Sequence, residues 1–348
     1  MIYGAYGYTG TLIAEEAVRR GHQPLLAGRS ADQLRPLAER LNLDWITVDL
    51  HHRAALHAAL ANVALVLHSA GPFIHTTAPM IHACLTTGTH YVDITGEIPV
   101  FQHTFAYGRA AAQRNITLLS GAGFDVVPTD CLAKYVANEL PNATDLHIAI
   151  AAISKASAGT TKTMLESLPT GGRVRRNGRL IPHQLGAGLR EVPFSDRKRT
   201  VLPIPWGDLE TAYRSTHIPN ITTYMAFPSR TAKAIRLLAP LLQHALAQPA
   251  IKRQAQQWVS RRVKGPDAEL REQGRSFIWA QATTADGTAK TAWLETAEGY
   301  HFTALASVRC VEQLLQQPLA GAWTPASAFG ADFVLSLPGS RRFDQLPN

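Results

Sequence analysis

The stretch GAYGYTG, residues 4–10, decides the fold of the N-terminal region because it places three glycines three residues apart at the start of the chain. The apolar residues Met1-Ile2-Tyr3 precede it, and apolar side chains recur at helical spacing in residues 11–20. Gly21 suits the end of that helix because glycine tolerates a positive φ, and a second apolar run, PLLAG, follows. The glycines therefore lie on the turn of a strand–turn–helix–strand unit, the context in which such a turn binds a dinucleotide.

The glycine turn is predicted to bind the pyrophosphate of that dinucleotide. In such a unit the glycines permit a tight turn, close approach of the backbone to the pyrophosphate and close packing of the helix, whose N-terminal N–H groups face the phosphates. The spacing here is GxxGxxG, so we interpret the amides of Tyr8, Thr9 and Gly10 as the phosphate-facing groups. Gly4 and Gly7 complete the predicted binding turn.

The end of the second strand indicates which dinucleotide binds. An NAD site usually has Asp or Glu there to bind the ribose 2′-hydroxyl, whereas an NADP site has an Arg nearby. Arg29 and Ser30 occupy that place. A guanidinium forms paired hydrogen bonds with a phosphate and a serine hydroxyl adds a donor, so NADP(H) is favoured over NAD(H).

Length and composition limit the class of protein. A chain of 348 residues that is 46% hydrophobic is long enough for two domains with hydrophobic cores. No apolar run reaches the roughly 18 residues of a membrane span and no signal segment is evident, so we expect a soluble, cytoplasmic protein. Cys84, Cys131 and Cys310 form no CxxC pair and are expected to be isolated thiols, without a disulfide or a zinc site.

The excess of basic residues bears on the partners of the chain. A net charge of +8 suits an anionic cofactor or substrate. No dense Lys/Arg block interleaved with aromatic residues is present, so nucleic acid is not expected as a partner. The basic stretch IKRQAQQWVSRRVKG, residues 251–265, could contact a lipid surface or an acidic carrier domain, or it forms a solvated helix face.

Strand-like and helix-like segments alternate over residues 1–123. About six strands with connecting helices, one of them predicted over 99–115, indicate a doubly wound parallel sheet, which is a Rossmann domain. Residues 124–315 read as a second, α+β domain with a mixed or antiparallel sheet. In it Asp286-Gly287 marks a hairpin, and residues 200–220 are predicted to be an irregular loop.

Ligands of a doubly wound sheet bind beyond the carboxyl ends of its strands, so the segments there are the candidates for chemistry. Small or rigid residues after the fourth strand let a cofactor ribose lie against the backbone: Ser69, Ala70, Gly71 and Pro72. Carboxyl groups follow the fifth and sixth strands: Asp93, Glu97 and Asp125. Hydride transfer needs a partner that donates or accepts a proton, and desolvation can raise the pKa of a carboxyl toward that task. The alternative is that these acids cap helices.

Two other mechanisms receive no support from the sequence. His68, His75 and His82 span a strand end, a loop and a helix, so metal ligation is not expected. None of the nine tyrosines is followed four residues later by Lys, so the Tyr–Lys pair of short-chain dehydrogenases is missing.

Motifs along the chain resemble one family. In order, YGAYGYTG, AGRS, SAGPF, ACLTTGTHYVDITGE and GAGFDVVPTD are similar to the saccharopine dehydrogenase-like NADP-binding proteins, especially the trans-acting enoyl reductase branch, as is TPASAFGADFVLSLPG near the end. The resemblance implies a Rossmann domain, an inserted second domain, a segment 316–348 that returns to the first, and a cofactor cleft between the domains. It carries over these cofactor positions: Gly4, Gly7, Gly10, Arg29, Ser30 and Gly71. It carries over no catalytic residue.

Two segments of the second domain are candidates for binding an anionic substrate group. Thr161 and Lys162 stand at a predicted helix start, where N–H groups and an ammonium can hold an anion. Arg173, with Arg175 and Arg176, is expected on a glycine-flanked turn. Either set could meet a carboxylate or a carrier-bound phosphopantetheine, or belong to a surface loop.

The sequence therefore predicts an NADP(H)-dependent oxidoreductase. It would reduce a C=C (enoyl) or C=N/C=O bond of a small or carrier-bound acyl substrate by hydride transfer, with a carboxyl among Asp93, Glu97 and Asp125 managing the proton. Two alternatives stay open: a saccharopine-type amino-acid dehydrogenase, and a protein that senses NADP(H) without turnover. The hairpin edge of the second domain also offers a surface for pairing with a second copy of the chain.

Overall fold

The N-terminal strand, glycine turn and helix form as the sequence predicts, with the helix starting at Tyr8. The computed structural model describes residues 1–152, 157–167, 169, 171–263 and 265–346, without the side chains of residues 162, 167, 236, 239–243, 260 and 261. The chain forms two units, Met1–Val127 with Tyr300–Ala328, and Pro128–Gly299 with Phe329–Asn348. The sequence-based domain ranges 1–123, 124–315 and 316–348 stay a prediction.

Short strands and helices alternate along most of the described chain. The strands are β1 (Ile2–Tyr3), β2 (Leu26–Gly28), β3 (Trp45–Thr47), β4 (Leu65–His68), β5 (His90–Asp93), β6 (Thr117–Leu119), β7 (Asp145–Ala152), β8 (Gly172–Arg176), β9 (Arg179–His183), β10 (Arg190–Pro193), β11 (Lys198–Pro203), β12 (Asn220–Ala226), β13 (Arg275–Thr283), β14 (Ala289–Ala297), β15 (Gly321–Trp323) and β16 (Arg341–Phe343). The α-helices are α1 (Tyr8–Arg19), α2 (Ala31–Leu41), α3 (Arg53–Leu60), α4 (Phe73–Thr87), α5 (Ile98–Ala106), α6 (Gly108–Gln113), α7 (Val127–Glu139), α8 (Ala158–Ser167), α9 (Asp208–Thr216), α10 (Ser229–Ala247), α11 (Pro249–Arg262), α12 (Ala268–Gln273), α13 (Gly299–Gln316) and α14 (Pro325–Phe329). A 3-10 helix spans Phe333–Ser336.

The first unit is built on a seven-stranded parallel sheet in the order β15-β6-β5-β4-β1-β2-β3. Within it, strands β1 to β6 lie in the order of a doubly wound dinucleotide-binding sheet, which confirms the predicted fold class. The edge strand β15 comes from late in the chain and pairs with β6, with Gly321 opposite Thr117. Buried apolar side chains, among them Tyr3, Met80 and Tyr91, form the core of this unit.

Helix ends in this unit follow local signals with one exception. α1 ends at Arg19, and Gly21 takes a φ of +85°, which residues other than glycine rarely adopt. The single helix predicted over 99–115 is wrong, because it breaks into α5 and α6. Tyr107, at the break, leaves helical geometry with φ −90° and ψ 2°, and its hydroxyl lies 2.7 Å from His82 Nε2. The next residue, Gly108, starts α6, and glycine in a helix interior weakens the helix.

The second unit is built on a nine-stranded mixed sheet. Its path is β10-β11-β12-β7-β13-β14-β16, with β8 beside β12 and β9 beside β8. β7 and β12 are parallel, and the other pairs are antiparallel, as predicted for this half. β13 and β14 form the predicted hairpin, and Gly287 has a φ of +90° in its turn.

Two local predictions for this unit are wrong. Residues 200–220, predicted as an irregular loop, contain the end of β11 and the whole of α9. Leu209 and Ala212 of α9 are fully buried three residues apart, so tertiary packing overrides the weak local signal. The expected glycine-flanked turn is strand β8, and only Asn177 and Gly178, both with positive φ, form the turn to β9.

Two predictions from composition can be compared with the structure. Cys84, Cys131 and Cys310 are buried free thiols, as expected of isolated cysteines. In the described ranges, no helix combines the length and the hydropathy needed to cross a bilayer.

Candidate functional site

Three predicted cofactor segments lie at one edge of the first sheet. β1 pairs with β2 on one side and with β4 on the other, so the carboxyl ends of these strands are neighbours. The glycine turn of residues 4–10 follows β1, Arg29 and Ser30 follow β2, and residues 69–72 follow β4. Ligands of doubly wound sheets bind at this place, where the strand order reverses beside β1.

The glycines of the turn occupy positions where a side chain has no room. Gly4 has a φ of +85°, and a Cβ there would lie 2.8 Å from the backbone nitrogen of Ala70. A Cβ at Gly10 would lie 2.9 Å from Ser69 Oγ, and closer still to the carbonyl oxygen of Gly4. Both glycines therefore allow the turn and the start of α1 to pack against the segment between β4 and α4.

The N-terminus of α1 offers the donors that a pyrophosphate needs. Gly7 is the N-cap residue, and no side chain caps the helix. The amides of Thr9 and Gly10 have no hydrogen-bond acceptor among the described residues. Unpaired N–H groups and the helix dipole attract an anion at such a terminus. The residues present therefore fit the phosphates of a dinucleotide.

Arg29 and Ser30 connect β2 to α2. The Arg29 side chain is exposed directly after Gly28, whose α-carbon is covered by the Tyr6 ring. Ser30 is the N-cap residue of α2, but its hydroxyl makes no capping hydrogen bond. A guanidinium and a hydroxyl at the end of β2 suit a 2′-phosphate.

We expect Arg29→Ala to weaken NADPH binding by about 1.5–3 kcal/mol and to leave NADH binding unchanged, because only NADPH carries the 2′-phosphate. Fluorescence titration of the purified protein with each nucleotide measures both affinities. Arg40→Ala is the matched control, since Arg40 lies on α2, the helix that follows Arg29 and Ser30, and pairs with Glu15 at 2.7 Å. An equal loss of NADPH and NADH affinity in Arg29→Ala would contradict the assignment.

Glu97 holds the start of α4. Its carboxylate oxygens accept hydrogen bonds from the amides of Phe73 at 2.8 Å and Ile74 at 3.0 Å. Pro72, the N-cap residue of α4, has no side chain that could cap the helix, so Glu97 provides the cap from another segment. Burial raises the pKa of Glu97, and the two amide donors oppose that rise. Glu97 thus fixes the predicted ribose-binding segment that ends at Pro72.

Asp93 is the centre of a buried hydrogen-bond network. One of its carboxylate oxygens accepts from Tyr91 Oη at 2.7 Å and Ser120 Oγ at 2.9 Å. The other accepts from the amides of Gly121 at 2.9 Å and Thr95 at 3.0 Å. Burial raises the pKa of Asp93 even though all four donors favour the ionised form. With its oxygens used in this way, Asp93 joins the end of β5 to the segment after β6.

Asp125 is the third of the predicted carboxyls and follows β6. Burial, reinforced by the negative charge of Glu97, raises the pKa of Asp125 to about 6. Its carboxyl packs on Gly96, where a Cβ would lie 2.8 Å from Asp125 Oδ2. The three predicted acids are thus brought together by the end of β5 and the segments after β5 and β6, and a pKa of about 6 lets Asp125 change protonation near neutral pH.

Helix α13 also contributes to this site, although its sequence does not predict that it would. The amide of Phe124 donates to Thr303 Oγ1 at 3.0 Å, and the Phe124 and Phe302 rings meet edge to face with centroids 6.0 Å apart. The Tyr300 ring contacts the Tyr8 ring edge to face at 5.0 Å. α13 therefore supports both the Asp125 segment and the glycine turn. No local motif predicts these contacts, because the partners lie more than 170 residues apart in sequence.

The predicted substrate-binding residues lie in the second unit. Thr161 is in the first turn of α8, and its hydroxyl donates to the carbonyl oxygen of Ser157 at 2.9 Å. Lys162 follows in the same helix, and its side chain lies outside the described part of the structure. Arg173 is partly buried on β8. A substrate role for these three residues stays a prediction.

The two arginines near Arg173 bind protein groups. Arg175 forms a buried ion pair with Glu210 at 2.8 Å and lies 4.1 Å from the centroid of the Tyr213 ring. Arg176 donates to Thr222 Oγ1 at 2.9 Å. These contacts stabilise the hairpin β8–β9 against α9 and β12.

Comparisons with known proteins agree with this geometry. The family described as "Saccharopine dehydrogenase NADP binding domain" matches residues 1–119. A trans-acting enoyl reductase of Mycobacterium bovis is 24% identical, over 98% of this chain and 95% of that protein. A putative trans-acting enoyl reductase of Mycobacterium tuberculosis is 26% identical, over 98% of this chain and 95% of that protein. The solved structure of apo saccharopine dehydrogenase (L-Glu forming) from Saccharomyces cerevisiae has a TM-score of 0.64 at 13% identity, covering 98% of this chain and 99% of that one.

These comparisons confirm several predictions made from the sequence. The resemblance read from the motifs is confirmed by the family match and by the full-length relatives. The family match also confirms NADP(H) as the cofactor class and an NADP-dependent oxidoreductase as the class of protein. The structural likeness confirms the fold. The roles of individual site residues stay predictions.

Proposed function

We propose that the chain, whose residues 1–119 match the family described as "Saccharopine dehydrogenase NADP binding domain", is an NADPH-dependent reductase of a carbon–carbon double bond in an acyl substrate. Full-length similarity to proteins named trans-acting enoyl reductases supports this choice of bond. The observation that carries the proposal is Asp125, a carboxyl with a pKa raised to about 6 after β6. Saturating a double bond requires a hydride and a proton, and Asp125 can hold the proton.

Three segments would hold the nucleotide. The α1 N-terminus with Thr9 and Gly10 would bind the pyrophosphate, and Arg29 with Ser30 would bind the 2′-phosphate. The segment 69–72 would lie against the ribose and the nicotinamide. When bound, NADPH supplies a hydride from C4 of its nicotinamide.

Asp125 would hold the proton that the α-carbon of the acyl group takes up when the β-carbon accepts the hydride. Burial and the neighbouring Glu97 charge favour the protonated carboxyl, which is the form that donates. Asp93 and Glu97 would be positioning residues. Asp93 binds the amide of Gly121 at the start of the Asp125 segment, and Glu97 binds the start of α4. The proton donor and the ribose-binding segment would thus be held by Asp93 at the end of β5 and by Glu97 shortly after it.

The test is NADPH oxidation with a panel of substrates. We expect turnover with α,β-unsaturated acyl thioesters, carried on coenzyme A or on a carrier-protein mimic, with one NADPH consumed per double bond and a product heavier by two hydrogens. Saturated thioesters of the same chain length are the matched control and should give no oxidation. The measurement is absorbance of NADPH together with mass spectrometry of the acyl product.

Other outcomes of the same panel would replace the proposal. Oxidation of NADPH with a 2-oxo acid and an amino acid, but not with the enoyl thioesters, would assign a saccharopine-type amino-acid dehydrogenase. Tight NADPH binding without turnover of any substrate would favour a nucleotide-sensing protein. Reduction of a β-keto thioester alone would move the hydride acceptor from a carbon–carbon to a carbon–oxygen bond.

A further inference from the structure

The positive charge of the chain is concentrated in one segment. Residues 211–266 contain nine Lys and Arg residues and no Asp or Glu, whereas the net charge of the whole chain is +8. The rest of the chain is therefore close to neutral. Most of this segment forms α10 and α11, two consecutive helices of the second unit. A surface of one sign of charge attracts partners of the opposite sign and repels copies of itself.

The same two helices expose large apolar side chains. On α10, Leu237 is 77% exposed and Leu238 is 46% exposed. On α11, Trp258 is 62% exposed and Ile251 is 45% exposed. Single exposed apolar residues are common on protein surfaces, but here four fall on two consecutive helices that contain no acid. We call these residues, with their neighbouring cations, the α10–α11 surface.

α11 shows that this exposure is a property of one helix face. Lys252 and Gln256 bond to the carboxylate of Glu166 on α8, at 2.7 Å and 2.6 Å, and Val259 is 4% exposed on the same side. Ile251 and Trp258 are seven residues apart, so they share a different face, about a quarter turn away from the first. α11 therefore uses one face for packing on α8 and leaves an apolar face open.

Cations flank the apolar side chains on both helices. Arg230 and Lys233 are exposed on α10, one to two turns before Leu237. On α11, Arg262 is exposed one turn after Trp258 and shares its face, whereas the exposed Arg253 lies on the opposite side of the helix. Long basic side chains can lie along an apolar surface while their charged ends reach outward. The pattern is that of a basic amphipathic helix with an interfacial tryptophan.

We propose that the α10–α11 surface binds the surface of an anionic lipid bilayer. Lipid phosphates would meet the cations, and Leu237, Ile251 and Trp258 would enter the boundary between headgroups and acyl chains. A second copy of the chain is disfavoured as the partner, because it would bring further cations to two helices whose sequences contain no acid. A bilayer accepts separate apolar side chains without a matching pocket for each, and this favours it over an acidic protein.

The test is flotation of the full-length protein with vesicles. The protein is expected to bind vesicles containing phosphatidylglycerol, to bind pure phosphatidylcholine vesicles at least tenfold more weakly, and to lose binding as salt rises. Trp258 fluorescence should shift to shorter wavelength on binding, and this shift should be missing in Trp258→Phe. The other tryptophans provide the unchanged background.

Variants distinguish binding through the α10–α11 surface from binding that depends only on the net charge of the protein. Lys233→Glu combined with Arg262→Glu is expected to weaken binding to anionic vesicles more than tenfold. The matched control is Arg109→Glu combined with Arg114→Glu, which makes the same change of net charge on and beside α6, where both arginines are exposed. Leu237→Ser combined with Trp258→Ser should weaken binding as well, whereas Leu315→Ser, at a residue 54% exposed on α13, should not.

Several results would overturn the proposal. One is the absence of binding to phosphatidylglycerol vesicles at low salt, and another is an equal loss of binding in the two charge-reversed variants. Capture of a purified acidic carrier protein, without vesicle binding and with loss in Lys233→Glu/Arg262→Glu, would assign the surface to a protein partner. Circular dichroism of each variant checks that the helices are retained. NADPH binding, measured in parallel, distinguishes failure of this proposal from failure of the nucleotide site.

Discussion

Replacing Gly10 with valine is expected to abolish NADPH binding. The first atom of the new side chain would lie 2.9 Å from Ser69 Oγ and 3.0 Å from the α-carbon of Ala5, and it would overlap the carbonyl oxygen of Gly4. Two of these contacts are with backbone atoms, which cannot move aside as a flexible side chain would. α1 must therefore shift away from the turn, and its N-terminal amides would leave the place where they meet the pyrophosphate.

The expected loss of affinity in Gly10→Val is at least about 100-fold, or about 3 kcal/mol, because overpacking and loss of phosphate donors act together. Isothermal titration with NADPH measures it. Gly21→Ala is the control: Gly21 has a φ of +85° and open space around its α-carbon, so this change costs stability but leaves the turn intact. Normal NADPH affinity in Gly10→Val, with thermal stability preserved, would contradict the role of the turn.

Asp125→Asn is expected to lower kcat by about 10²–10⁴-fold while leaving NADPH affinity unchanged. The amide is nearly the same size as the carboxyl but cannot supply the proton, and general acid catalysis contributes a factor of this order. Folding should be retained, because the variant removes a buried carboxyl whose ionisation is already disfavoured. Steady-state kinetics with the enoyl substrate and a separate nucleotide titration give the two quantities.

The pH dependence of kcat gives an independent check on Asp125. With a pKa of about 6, the donating form prevails below that pH and is lost as the pH rises through it. The activity of the unmodified protein should therefore fall on the alkaline side with an apparent pKa near this value or above it. The residual activity of Asp125→Asn should lack that limb. An unchanged profile would assign the proton to another group.

The other two carboxyls should respond differently to the same change. Asp93→Asn disturbs four hydrogen bonds in a fully buried place, so we expect a loss of thermal stability together with activity. Glu97→Gln keeps an acceptor for the start of α4 but removes the charge that raises the pKa of Asp125. Its pH profile should therefore shift to lower pH, with a smaller loss of kcat than in Asp125→Asn.

The nucleotide half of the site was predictable because its signals are local. The glycine turn, the end of α1 and the pair Arg29–Ser30 lie within about 30 residues, and each is specified by its own backbone or side-chain chemistry. Parallel pairing of β1 with β2 and β4 then places these segments side by side. Because the sequence predicts β1, β2 and β4 and the segments that follow them, it also predicts that these segments meet at the carboxyl ends of the three strands.

The roles of the carboxyls were not predictable, because they depend on contacts between distant segments. Asp93 is distinguished by donors from Ser120 and Gly121, and Glu97 by the amides at the start of α4. Tyr107, at the break between α5 and α6, contacts His82, which lies 25 residues earlier in the chain. The contribution of α13 is the extreme case, since Thr303 supports Phe124 across 179 residues. Patterns among neighbouring residues of the sequence cannot predict contacts between segments this far apart.

The position of β15 has a consequence for how the protein is made. The parallel sheet of the first unit gains its seventh strand only from Gly321–Trp323, which the ribosome synthesises about 200 residues after β6. Until then β6 is a free edge, with unpaired backbone groups that can recruit a wrong strand. A truncated gene ending near Val127 would therefore yield a nucleotide-binding fragment without α13 and without its last strand, and with a tendency to aggregate. Isolation of this half by genetic dissection requires a circular permutant or a fusion that supplies residues 300–328 in the same polypeptide.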